Sequence, residues 1–168
     1  MSMDATSISF RQFRSSDYSQ VIGLHEAALR DAGVFIEQGG SDLDADLNDI
    51  EGVYINDGGD FLVGEIDGEI VAMGAFKRIS EKVAELKRMR VRTDLQGQGI
   101  GKSLLNLLEA EIRQRGFGLI QLDTSTEQAA AISLYQMAGF HEVRRTNDAY
   151  PGQVTIFYEK ELITRRPA

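Results

Sequence analysis

Cysteine and tryptophan are missing altogether from these 168 residues, and there are only two prolines and two histidines. Without a thiol the chain has no disulfide framework, no thiolate nucleophile and no cysteine metal site. His25 and His141 leave little from which to build a metal centre, so no metal is expected and both read as structural or surface residues. No run of about 18 consecutive apolar residues occurs, and residues 1–10 carry no basic stretch ahead of an apolar one. The expectation is a soluble cytoplasmic chain without a membrane partner. A net charge of −8 argues against nucleic acid as a partner. What is left is one domain over residues 1–162, with 163–168 as a frayed tail. At this length folding buries roughly 70% of the surface of the open chain, so no staple is required.

The charge that is present is unevenly placed. Acids crowd the stretch from Asp31 to Asp60 (Glu37, Asp42, Asp44, Asp46, Asp49, Glu51 and Asp57 between them), with Arg30 as the only base beside it. The sign reverses from Lys77 to Lys102, where Arg78, Lys82, Lys87, Arg88, Arg90 and Arg92 outnumber Glu81, Glu85 and Asp94. A solvated face accounts for either block unless a motif claims it.

Hydrophobic periodicity orders the elements. Residues 8–14 alternate like an entry strand, and Ser16 and Asp17 offer a cap for a helix to about Ala32 through Val21, Leu24, Ala28 and Leu29. Gly39-Gly40 breaks the chain, and Ser41 or Asp42 caps a short second helix through Leu43, Leu47 and Ile50. After a turn at 56–60, strands at 61–66 and 70–76 flank Asp67-Gly68, a strong hairpin signal. A third strand, 84–93, pairs onto them. Ile100, Leu104, Leu107, Leu108 and Ile112 predict a helix over 99–115 closed by Gly116. A strand at 119–124, a helix at 129–138 ended by Gly139, and strands at 140–146 and 154–161 complete the chain. Early antiparallel strands followed by strand, helix, strand, helix and strand give a mixed sheet covered by helices.

The residues that decide the function lie between a strand and an amphipathic helix: Gln96-Gly97-Gln98-Gly99-Ile100-Gly101-Lys102-Ser103. Glycines let the chain turn tightly and approach a ligand, leaving first-turn amides and the helix dipole aimed at an anion such as a pyrophosphate. Three glycine-loop patterns compete with glycines that serve only as turn and cap. A dinucleotide fingerprint starting at Gly97 would need glycine where Lys102 stands. A nucleotide P-loop is met at its end by Gly101-Lys102-Ser103, and residues 119–123 imitate a magnesium-binding strand ending in Asp123. Its opening glycine, however, would have to replace Gln96. The third pattern, Q/R-x-x-G-x-G/A, is met by Gln96, Gly99 and Gly101.

On that loop the chain resembles the GNAT superfamily of N-acetyltransferases. The resemblance extends to residues 84–91, similar to the family's fourth strand. It also takes in Ala131-Ile132-Ser133-Leu134-Tyr135 followed by Gly139-Phe140, which match the family's A-I-x-L-Y…G-F signature. Gln96 stands where arginine is commoner, and Gln128 where asparagine is usual. The resemblance implies an α/β fold with a mostly antiparallel twisted sheet of about seven strands. Helices would cover both faces, and the sheet would splay between the fourth and fifth strands. It implies acetyl-CoA as donor, with an acetyl group passing to a primary amine of a small molecule or peptide. A coenzyme A-binding sensor without turnover is the alternative.

The same resemblance distributes roles. Backbone groups of Met89, Arg90 and Val91 meet the pantetheine, and the loop from Gln96 and Gly97 through Gln98, Gly99, Ile100, Gly101, Lys102 and Ser103 meets the phosphates, with Gln128 and Ala131 alongside. Arg88, Arg90, Arg92 and Lys102 are candidate side-chain partners for the phosphates. Aminolysis of a thioester needs a proton acceptor, because an alkylamine of pKa ~10 is mostly charged at neutral pH, and a donor for the departing thiolate. Glu85 sits where the family carries a carboxylate base, although pairing with Lys87 or Arg88 explains it equally well. Tyr135 sits where the family carries the phenol beside the sulfur. The acidic stretch falls where the acceptor arrives, which suits a cationic amine. Edge strands at the C-terminal end suit a homodimer.

Overall fold

The computed structural model describes residues 7–31, 42–150 and 152–162. Gly39-Gly40, Ser41 and the tail 163–168 therefore lie outside the described residues. Strands β1 (Ser9–Gln12), β2 (Asp60–Ile66), β3 (Glu69–Arg78), β4 (Val83–Val91), β5 (Leu119–Ser125), β6 (His141–Tyr150) and β7 (Gln153–Glu161) form one sheet in the order β1-β2-β3-β4-β5-β7-β6. Every pairing is antiparallel except β4 with β5. This is the seven-stranded mixed sheet expected, and it lacks the all-parallel frame that a P-loop reading would need.

Helices cover both faces. Leu104, Leu105, Leu108 and Ile112 of α2 (Ile100–Gln114) and Tyr135 of α3 (Ala129–Met137) are buried with Phe76, Leu86, Ile120 and Tyr158. Val21 and Leu24 of α1 (Tyr18–Asp31) pack on the opposite side with Tyr54, Phe61, Val63 and Met73. Each large apolar side chain so buried contributes roughly 1.5–3 kcal/mol. β3 runs between the two clusters and is buried from Ile70 to Phe76. Among the described residues no helix is long and apolar enough to cross a membrane.

The entry to α1 is fastened by Asp17, one of the two residues expected there: its carboxylate accepts the Arg14 amide at 2.8 Å and the Arg11 guanidinium at 2.7 and 2.8 Å. Three local expectations give way. The expected second helix is a 3-10 turn, Asp42–Asn48, followed by a single π-turn, Glu51–Ile55, with the Asp49 carboxylate accepting the Gly52 amide between them at 3.1 Å. Leu47, Ile50 and Tyr54 are buried as the apolar spacing requires, because that spacing fits any helical winding. β4 stops at Val91 instead of Thr93, since Arg92 makes the last bond to the sheet (its amide to Val71 O, 2.8 Å) before Thr93–Leu95 coils away. β6 continues past Thr146 to Tyr150 because register shifts absorb the polar residues that read as a loop.

One carboxyl pair lies away from these corrections. Burial, and then a hydrogen bond with Asp60, push the Glu111 carboxyl up to about 7, while Arg115 works to lower it. The folded chain keeps this proton up to about pH 7, whereas an unfolded glutamate releases it near 4.5. The pair's contribution is therefore full below the unfolded value and lost as pH rises through the folded one. Thermal unfolding at about pH 5 and pH 8 should show a decline in melting temperature that Glu111→Gln flattens. An equal decline in the variant would assign it to other groups.

Candidate active site at the splay of the sheet

β4 and β5 pair over three registers only, Val83 with Leu119, Ala84 with Ile120 and Glu85 with Gln121. Beyond Glu85 each strand follows its other neighbour: β4 stays with β3 as far as Val91, and β5 pairs with β7 along its whole length to Ser125. Sheet twist accumulates between two strands that are tied outward, and they part. The result is a gap whose β4 side is the backbone of Leu86 to Val91. Two carbonyls there are met by side chains: Met89 O accepts from the Arg90 guanidinium at 3.0 Å, and Val91 O accepts from Gln96 Nε2 at 3.3 Å.

A bulge sorts the side chains of β4. The register slips between Met73 and Ala75, Arg88 takes a φ of 61°, and the close approach is possible because a Cβ on Gly74 would lie 2.5 Å from Met89 Sδ. As a consequence Ala84, Leu86, Met89 and Val91 all face the α2 cluster although they do not share one parity. Holding a non-glycine residue at positive φ costs of order 1–3 kcal/mol. The guanidinium it delivers offsets that cost with three bonds, to Asp44 at 3.0 Å and to Asp46 at 3.0 and 2.5 Å. The tight winding of Asp42–Asn48 makes this double contact possible, since residues two apart diverge by about 160° around an α-helix and by about 120° around a 3-10 helix.

Past the gap the loop runs into α2. Gly97 (φ 79°) and Gly99 (φ 85°) take the left-handed conformation, and nothing lies within 4 Å of where a Cβ would stand on either. Gly99 is the N-cap, and its carbonyl receives the Ser103 amide at 3.0 Å. The amides of Ile100, Gly101 and Lys102 are thus the unpaired donors of the first turn, bordered by exposed Gln98, Lys102 and Ser103. Of the four cations expected at the phosphates, Lys102 alone is at the loop. Arg92 bonds Asp94 at 2.7 Å and Glu69 at 2.8 Å, and Arg88 and Arg90 lie on the α1 side of the sheet.

On the far side of the gap Gln128 is the N-cap of α3, with its amide on Ser125 O at 3.1 Å, and Ala131 packs on the main core. Tyr135 is buried, its ring edge-on to Phe140 at 5.8 Å. Burial pushes its phenol up to about 12; the Arg90 charge opposes this and the Asp123 charge adds to it, so the hydroxyl is within reach of charges on both parted strands. Such a group stays protonated at ordinary pH and is a donor. Glu85 accepts from Gln121 Nε2 at 3.0 Å and lies 3.4 Å from Lys87 Nζ. Asp123, absent from the candidates drawn from sequence except as a mimic of a magnesium-binding strand, belongs with it. Desolvation and then the Glu85 charge raise its carboxyl, although the residue is exposed to water.

A second group lies across β4 from the α2 core. The Tyr54 hydroxyl bonds Asp46, and burial followed by that bond pushes the phenol up. Burial works to raise Asp46, but Arg88 and Tyr54 hold it below its usual value. Asp44 and Asp46 are therefore taken by Arg88 and are not open acids for a cationic acceptor. His141 is exposed, as read from sequence. His25 is 3% exposed and both ring nitrogens lack a hydrogen-bond partner. Its Nε2 is 3.3 Å from Asp44 Oδ1 without the alignment of a hydrogen bond; burial, then Arg90 and Arg88, lower its pKa and keep it neutral. No signal in the sequence joins His25, Asp44, Tyr54 and Arg90, because only the fold brings them together.

Residues 22–140 match the family described as Acetyltransferase (GNAT) family. A curated relative from Rattus norvegicus, N-acetyltransferase family 8 member 2, is 37% identical over 60% of this chain and 46% of its own length. The chain thus spans about half the length of that relative. Among solved structures, an acetyltransferase from Streptococcus agalactiae superposes with a TM-score of 0.82 at 22% identity, covering 93% of this chain and 99% of that one. A protein from Salmonella typhimurium, described with its cofactor acetyl-CoA, superposes at 0.78 with 19% identity over 96% and 97%.

The Arg88 cluster sets a stability expectation. Arg88→Met removes the cation from two part-buried carboxylates, and breaking a buried pair from one side costs about 3 kcal/mol or more. Urea unfolding should show that loss. A variant as stable as the parent would mean that the two acids are already satisfied by solvent.

Proposed function

The chain belongs to the Acetyltransferase (GNAT) family, and from that premise we propose that it is an acetyl-CoA-dependent N-acetyltransferase whose reaction takes place where β4 and β5 part. The observation that carries this is a buried, protonated phenol, Tyr135, set between two parted strands, one of which leads directly into a glycine-opened helix N-terminus. The acetyl-CoA named for the Salmonella structure is the co-substrate proposed here.

In this reading the amides from Gly97 to Lys102 hold the pyrophosphate, with Lys102 and Ser103 at its margin and Gln96 bracing the loop against Val91. The backbone of Met89, Arg90 and Val91 lies along the pantetheine, with Gln128 and Ala131 across from it. The amine nitrogen attacks the thioester carbonyl, a C–N bond forms, the C–S bond breaks, and an N-acetyl product and coenzyme A leave. Glu85 receives the amine proton, directly or through water, and Asp123 shares the task, since a carboxyl raised toward working pH is the better base. Tyr135 hydrogen-bonds the leaving sulfur and passes a proton to it as water reprotonates the phenol, a relay the transfer needs because the thiol pKa of ~8.5 lies far below that of the enclosed phenol.

Two variants test the assignment. Gly99→Asp puts a side chain and a negative charge into the open space before α2, and calorimetry on the folded variant should find acetyl-CoA binding abolished. Unchanged affinity would remove the loop from the site. Tyr135→Phe keeps the ring against Phe140 and removes only the proton. Turnover should fall about 100-fold, in kcat and kcat/KM together, with little change in melting temperature or acetyl-CoA affinity. A lowered melting temperature with full turnover would return Tyr135 to packing. Tight acetyl-CoA binding without turnover of any amine would favour a sensor.

A further inference from the structure

Resting on the acetyltransferase reading, we propose that Arg90 and His25 seat a carboxylate of the acceptor, so that the amines acetylated are amino acids and not simple or polycationic amines. Arg90 Nε and His25 Nδ1 are buried without a hydrogen-bond partner, and His25 Nε2 has only Asp44 Oδ1 beside it, at 3.3 Å and out of line for a hydrogen bond. They come from β4 and α1, elements that pack together, and each side chain lies within the field of the other. Each buried donor left unpaired costs free energy, and a desolvated cation costs more. Asp44 offsets that cost only in part, because the same carboxylate also bonds Arg88. The bond of Arg90 to its own neighbour's carbonyl does not neutralise its charge.

A guanidinium with a free edge beside a neutral imidazole N–H complements a monoanion with two oxygens, and a planar carboxylate has that shape. A cationic acceptor would be repelled, and a neutral one would leave the guanidinium desolvated. Position agrees. Arg90 and Tyr135 each lie in the field of the other, so a group held at Arg90 is on the side of the gap that the phenol assigned to the sulfur also serves. The neighbouring part of the seam between α1 and β4 is a hollow lined by Leu24, Ala28, Val91 and Thr93 among others, giving the side chain of such a molecule a place outside the buried pair.

The test uses the whole protein with acetyl-CoA and two matched sets of acceptors, the proteinogenic L-amino acids and their L-amino-acid amides. Coenzyme A release is measured for both, and binding of the corresponding N-acetyl amino acids in the presence of coenzyme A is followed by ligand-observed NMR. The best acid should exceed its own amide at least about tenfold in kcat/KM, because a site built to pair a charge discriminates against an analogue lacking it. Arg90→Gln should raise KM for that acid about 30-fold or more and erase the preference, while Arg90→Lys retains part of it. Amides turned over as well as acids would overturn the carboxylate seat and leave the acetyltransferase reading standing. So would an undiminished preference in folded Arg90→Gln. Release from neither set, with no N-acetyl amino acid bound, would overturn the carboxylate seat, and failure of the same preparation to bind acetyl-CoA would overturn both.

Discussion

The structure depends on an incompatibility between two strands. β4 is held to β3 and β5 to β7, and after three shared registers the two are no longer paired with each other. An opening in the middle of a sheet leaves backbone groups that side chains, solvent or a ligand must supply with partners; Arg90 and Gln96 meet two of the carbonyls here. Everything assigned to catalysis is arranged around that opening. Glu85 stands at the last shared register and Asp123 just beyond it on the other strand, while Tyr135 overhangs from α3 and the glycine loop follows directly from the end of β4.

The bulge at Arg88 is the second constraint, and it acts through charge. By shifting parity once, it turns Met89 and Val91 to the apolar side and leaves Arg90 among polar residues on the other. Arg88 then collects Asp44 and Asp46 of the 3-10 turn and ties that segment to the sheet, which fixes Asp44 beside His25. Asp44 and Asp46, which looked free in the sequence, serve this tie. The cation that looked like a phosphate ligand is enclosed beside a neutral histidine. The acceptor side of the site is therefore more basic than the composition of residues 31–60 implies.

What was legible in the sequence was local. Asp67-Gly68 between apolar runs, the α2 spacing from Ile100 to Ile112 and the glycines before it each encode geometry within a few residues, and each stands where expected. The relation of Tyr135 to the loop was readable only through the family signature, because nothing in residues 96–135 encodes the splay itself. The helix expected through Leu43, Leu47 and Ile50 was misread because that spacing does not separate an α-helix from a tighter winding. The 3-10 turn is held by Arg88, 42 and 44 positions away from Asp46 and Asp44. The bulge had no marker, since its positive φ falls on an arginine, and His25 gained its meaning only from neighbours on other elements.

The central claim, that acetyl-CoA lies from the first turn of α2 along the open edge of β4, is tested most directly by titrating it into 15N-labelled protein with assigned amides. The account predicts the largest shifts at Met89, Arg90 and Val91, at Gly97 through Lys102, and at Ala131 near the start of α3. Saturable binding whose shifts avoid both β4 and the loop would contradict it.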